Sequence, residues 1–144
     1  KLLGGCIESL YNIISGDRFS EQKEICEKYN IFPSSEKWKD KILFIETSEG
    51  KSSPEEYEKM LNTLKEKVNF DSLGGIIVGK PQNEVYYEEY KKILCKVVNN
   101  PDIPIVYNVN FGHAYPRCIL PYGINVEYRH SEKKFIFNEP LFSE

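Results

Sequence analysis

Apolar residues in this chain fall into short continuous runs separated by stretches in which they recur at helical spacing, and the alternation is regular from Lys41 onward. Ile42-Leu43-Phe44-Ile45 predicts a strand over Ile42 to Thr47 with both faces covered. Ser53-Pro54-Glu55-Glu56 then reads as a helix start. The serine oxygen caps, the proline takes the first helical position, and the acids sit at the positive end of the helix dipole. The helix is expected over Pro54 to Lys67, with Tyr57, Met60, Leu61 and Leu64 on one stripe. Leu73 to Gly79 predicts a second buried strand, Glu84 to Asn99 a second striped helix, and Ile103 to Tyr107 a third strand. This is a β-α-β-α-β unit with parallel strands and right-handed crossovers.

The flanks are less regular. Lys1 to Gly5 reads as a short strand ending in a glycine turn. Ile7, Leu10, Tyr11, Ile13 and Ile14 then recur at helical spacing until Gly16. Asp17 to Asp40 is an excursion with one helical turn near Gln22 to Tyr29, anchored by Trp38 on an apolar surface. Gly123 to Tyr128 alternates, and Phe135-Ile136-Phe137 follows a His-Ser-Glu-Lys-Lys turn, which predicts a closing hairpin.

A chain of 144 residues fits one domain over 1–144 with an adequate core, and 40% hydrophobic with 28% charged residues is an ordinary globular composition. The net charge of −3 is spread as lysines among glutamates, without a basic stripe, which argues against nucleic acid as a partner. The acids Glu55, Glu56, Glu58, Glu88 and Glu89 are expected to pair with lysines three or four residues on. No apolar run is long enough to span a bilayer. The chain opens on Lys1 in a strand-like KLLGG and is expected to be a piece of a longer protein. Cys6, Cys26, Cys95 and Cys118 show no metal-ligand spacing, so neither a metal nor another cofactor is expected. Cys95 and Cys118 read as small buried hydrophobes.

The candidate chemistry lies at strand ends. Asn108 to Gly123, NVNFGHAYPRCILPYG, places a Gly-His step just past an apolar run and follows it with two prolines. An isolated loop histidine reads first as structural, so His113 needs a partner before it supports catalysis. Glu46 is that partner, an acid where the Ile42 strand surfaces. Both residues then lie at the carboxyl edge of a parallel sheet, where such folds bind ligands. A carboxylate can orient an imidazole and stabilise its cation while the other ring nitrogen takes a proton. No nucleophile stands in a recognisable setting. LGGIIVGK carries its glycines within the strand, where Gly74 and Gly75 permit close packing. Cys6 opens a helix and reads as structural before it reads as a thiol nucleophile for His113. Ser48 is read as a helix-approach residue and His130 as a solvated turn residue.

Taken in order, GGCIESL, KILFIETSE with SPEEYEKML, DSLGGIIVGK, IPIVYNVNFGHAYP and ILPYGINVEY resemble the C-terminal domain of the LD-carboxypeptidase family of serine peptidases. That family includes the microcin C self-immunity proteins. The resemblance implies that Glu46 and His113 are two members of a Ser-Glu-His triad. The serine would lie in an N-terminal nucleophile domain absent from this chain, which alone would be inactive. It also implies a swivelling β/β/α-type fold, a cytoplasmic homodimer without a metal, and a substrate amide between an L-centre and a D-residue. Murein tetrapeptide losing D-alanine during wall recycling is the first choice, and a microcin-type peptidyl-nucleotide the second. The chain departs from the family pattern at Ala114, where Thr is frequent, and at Cys6, where Asn is common. A stand-alone binding module that has lost the chemistry is the alternative of a different class.

Overall fold

The computed structural model describes residues 1–140 and 142. Four strands, β1 (Leu2–Cys6), β2 (Ile42–Glu46), β3 (Gly75–Gly79) and β4 (Ile105–Val109), form one sheet of parallel neighbours in the order β1-β2-β3-β4. Spatial order equals chain order, so right-handed crossovers carry every connecting helix to the same face of the sheet. The opposite face must be covered by something else. A hairpin, β5 (Val126–Arg129) with β6 (Lys134–Phe137), and the loop after β4 cover it.

The period-two geometry of the strands sorts their side chains accordingly. Leu43, Ile45, Ile76 and Val78 enter the larger core against α1 (Ile7–Ser15), α3 (Pro54–Val68) and α4 (Tyr87–Val98). Leu2, Phe44 and Ile77 face the other way, into a smaller core with Phe111 that is flanked by Leu120, Val126, Phe135 and Phe137. The hairpin side is tied to β1 by backbone bonds: Leu2 N–H donates to the Ile124 carbonyl and Gly123 N–H to that of Leu2, at 3.0 and 2.9 Å.

The helix-side core is built as the sequence indicates. Ser53 Oγ accepts from Glu56 N–H and the Glu56 carboxylate accepts from Ser53 N–H, with Pro54 at the first helical position. Tyr57 of α3 stacks on Tyr90 of α4 at 4.2 Å between ring centres. In the 17–40 excursion α2 (Ser20–Lys28) buries no side chain, and Trp38, 2% exposed, anchors the return to β2 against Phe32.

Several expectations are corrected. Gly4 and Gly5 lie inside β1 rather than in a turn after it, and β1 adds a fourth strand to the β-α-β-α-β unit. The second long helix begins at Tyr87, because Asn83, Glu84 and Tyr86 take left-handed backbone angles. Cys95 and Cys118 are exposed. The buried stripe of α4 runs through Tyr90, Leu94, Val97 and Val98, which turns Cys95 outward, and Cys118 sits on the outer loop after Pro116. Glu58 pairs with Lys96 on the neighbouring helix rather than along its own, and Glu56 serves the cap. No helix among the described residues is long and apolar enough to cross a membrane.

Gly4 carries the closest approach in the sheet. Its φ is +152°, and a Cβ there would stand 1.7 Å from the Phe44 carbonyl oxygen. Gly4→Ala is therefore expected to cost roughly 3 kcal/mol or more, read as a large fall in the urea midpoint. A midpoint equal to that of the parent chain would contradict the placement of β1.

Candidate active site

Cys6, Glu46 and Gly79 close β1, β2 and β3, and the strand registers set them in one row at the carboxyl edge, on the hairpin face. Glu46 is 7% exposed. Space for it comes from two glycines: a Cβ on Gly79 would lie 2.7 Å from Glu46 Cβ, and one on Gly112 would lie 2.4 Å from Glu46 Oε2. Gly112 also has φ +82°, so the Gly-His step is required sterically and conformationally. The chain can thus cross directly over the carboxylate.

That crossing delivers His113. Its backbone N–H and its ring Nδ1 both meet Glu46 Oε2, at 3.1 and 2.8 Å. A carboxylate only accepts, so Nδ1 carries a proton, and in the neutral ring Nε2 is left as the acceptor. The His113 pKa is held above its ordinary value, chiefly by the hydrogen bond to Glu46. Burial opposes this, and the charges of Glu46, Glu49 and Glu8 add to it. The arrangement orients an imidazole, stabilises its cation, and presents one nitrogen outward for proton transfer.

Two acids that sequence reading passed over complete the site. Glu49, 72% exposed, places Oε2 3.2 Å from His113 Nε2. Glu8, in the first turn of α1, gathers contacts from three residues. It accepts from Cys6 Sγ at 3.1 Å, from Ser48 N–H at 3.1 and 3.2 Å, from Ser48 Oγ at 3.0 Å and from Ser52 Oγ at 3.4 Å. Glu8 thereby holds the 47–52 segment, and Glu49 with it, over the strand ends. The only sequence signal for Glu8 is an acid at a helix start, which reads equally as dipole complementarity. On the other side, Arg117 donates to the Gly112 carbonyl at 3.2 Å and to the Tyr115 hydroxyl at 2.8 Å, propping the loop.

The surroundings of Cys6 favour its structural reading over the thiol-nucleophile alternative. Burial pushes the Cys6 thiol up to about 12, with the neighbouring Glu8 and Glu46 acting in the same direction. The Ser9 amide at the start of α1 opposes the shift without overcoming it. A thiol held protonated at neutral pH is a poor nucleophile. Ser48 Oγ is committed to Glu8 and to Gly50 N–H, and His130 stands in the exposed turn of the β5–β6 hairpin.

The raised pKa has a signed consequence. The pair stabilises the fold fully below the unfolded histidine value of about 6.5, and this contribution is lost as pH rises through the higher folded value. Proton NMR of the imidazole should titrate above about 6.5 in the parent chain and distinctly lower in Glu46→Gln. The gap in urea midpoint between the two should be wider at pH 6 than at pH 9. Coincident titration curves would show that the 2.8 Å contact does not govern the ring.

Residues 1–128 match the model of the LD-carboxypeptidase C-terminal domain. A protein named "Putative carboxypeptidase" from Treponema pallidum (strain Nichols) is 30% identical over 123 residues, covering 84% of this chain and 32% of that protein. The crystal structure of an MccF-like protein from Streptococcus pneumoniae in complex with AMP is 44% identical with a TM-score of 0.90. That match covers 96% of this chain and 40% of the other. A muramoyltetrapeptide carboxypeptidase from Oxalobacter formigenes, 20% identical with a TM-score of 0.64, shares the fold over 97% of this chain and 46% of its own. The chain therefore spans between about a third and a half of the length of these relatives. A parallel sheet backed by an antiparallel hairpin, its ordered strand-end motifs and the match over residues 1–128 together place the chain in the LD-carboxypeptidase C-terminal domain family.

Proposed function

We propose that this chain is the base-bearing domain of a serine-type carboxypeptidase, with His113 as general base and acid and Glu46 as its orienting partner. The observation that carries the proposal is the double acceptance by Glu46 Oε2, which fixes the ring and turns Nε2 outward. In this reading a serine outside residues 1–144 gives its hydroxyl proton to His113 Nε2 as its oxygen attacks the substrate carbonyl. His113 then returns that proton to the departing amine, and water releases the acyl group by the same route. Glu49 must swing away from Nε2 first, which its exposure allows.

A second domain is supported by two observations. The relatives extend well beyond the matched region, and Tyr115, Ile119 and Tyr122 stand exposed on the loop that carries His113. Apolar side chains grouped beside a site are suited to burial by a partner surface. The proposal takes the whole protein as a cytoplasmic homodimer that removes D-alanine from murein tetrapeptide. A peptidyl-nucleotide amide is the second substrate reading, favoured by the AMP complex of the 44% identical MccF-like protein.

The test is hydrolysis by the full-length protein of an L,D-tetrapeptide and of an aminoacyl sulfamoyl nucleoside, compared with the isolated chain. One of the two should turn over, the isolated chain should be inactive, and His113→Ala should lower kcat/KM by about 10³-fold or more. The rate should rise with pH along a limb centred above about 6.5, since the base must be neutral to act. Glu49→Gln should move that limb to lower pH by removing a carboxylate that favours the cation. Activity of the isolated chain, or a His113→Ala variant within tenfold of the parent, would overturn the proposal.

A further inference from the structure

Cysteine spacing in the sequence offers no metal motif, yet three potential ligands from distant segments meet at the carboxyl edge. Cys6 and Glu46 are register partners in a parallel pair, so their side chains stand side by side on one face. The loop after β4 brings His113 over them. Cys6 Sγ, a Glu46 carboxylate oxygen and a His113 ring nitrogen all lie within 4.8 Å of one another. We propose that Cys6, Glu46 and His113 form a binding site for a thiophilic divalent cation of the zinc type, taken by His113 at Nδ1.

A thiolate, an imidazole and a carboxylate form the donor set that suits Zn²⁺ or Co²⁺, whereas Mg²⁺ and Ca²⁺ call for oxygen alone. Ligand bonds of about 2.0–2.3 Å imply tetrahedral edges of about 3.3–3.8 Å. Binding therefore opens the 2.8 Å Glu46–His113 contact slightly and draws Cys6 Sγ inward. Two of the three ligands end hydrogen-bonded strands, so the site needs side-chain adjustment and no backbone rearrangement.

Glu49 supplies an independent observation. It stands 3.2 Å from Nε2, the nitrogen that proton transfer needs free. With a cation on Nδ1, Nε2–H would donate to Glu49, the carboxylate–histidine–metal arrangement that orients metal-bound imidazoles. The carboxylates of Glu8, Glu46 and Glu49 surround the thiol and the ring, and a dication offsets that excess. The Cys6 proton leaves to solvent as the sulfur–metal bond forms. A consequence for activity rests on the proposed function: a cation on Nδ1 and Glu46 separates the base from its orienting partner and stops proton transfer.

The test is titration of the chain with Co²⁺ alone, read by the near-ultraviolet thiolate-to-cobalt charge-transfer band and by the visible bands of a tetrahedral ion. A saturable 1:1 band is expected in the parent chain. It should be lost in Cys6→Ser and weakened at least tenfold in His113→Ala, with far-ultraviolet circular dichroism confirming that both variants fold. Cys118→Ser, on the exposed loop, should leave the band unchanged. Absence of the band in the parent, or its persistence in Cys6→Ser, would overturn the proposal. The full-length protein should also lose hydrolysis in Zn²⁺ and regain it with a chelator. Failure to hydrolyse without metal would instead count against the proposed function and leave the cobalt result standing.

Discussion

A carboxylate buried at the end of a central strand is the constraint on which this edge of the molecule depends. Glu46 cannot be left unpaired there, because an uncompensated buried charge costs several kcal/mol. The fold meets this demand with the loop after β4, which donates both N–H groups of His113 to a single oxygen. That solution in turn requires a glycine at 79 beside the side chain and a glycine at 112 above it. The electrostatic need of one residue thus fixes the position, tautomer and exposed face of another. Orientation of the imidazole follows from the packing of the sheet edge.

The one-sided placement of the helices explains why the site lies where it does. Because the strands follow chain order, the hairpin face is left for the β4 loop and for β5 and β6. Phe44 and Phe111 meet edge to face beneath that loop, giving the His113 turn an apolar floor. Glu8 performs the matching task on the opposite side, holding the 47–52 segment through Ser48 and Ser52. The imidazole is then bracketed by two separately anchored segments. Among the described residues, the exposed Glu49 stands at its outward nitrogen, 3.2 Å from Nε2.

Much of this was legible in the sequence because the relevant signals are local. The ILFI run, the Ser-Pro-Glu-Glu start and the striped helices define the sheet and its crossovers, and the strand ends that follow from them identify Glu46 and His113. What was not legible depends on contacts across the fold. The Gly4-Gly5 pair resembles a turn, and its parallel register with Phe44 and Ile45 shows it to be a closely paired strand. Glu8 looks like any acid at a helix start until Ser48 and Ser52 are brought to it. A short apolar neighbourhood does not say which side of a helix or loop faces out, so it does not reveal that Cys95 and Cys118 are exposed. The ordered motifs carried the family resemblance, which the match over residues 1–128 supports.

The proposed role of His113 is to activate a nucleophile that another part of the protein provides. Fluorophosphonate labelling of the full-length protein, with the adduct mapped by mass spectrometry, tests this most directly. One labelled serine outside residues 1–144 is expected, modified about 10³-fold more slowly in His113→Ala. An adduct within residues 1–144, or labelling at the same rate without the imidazole, would contradict it.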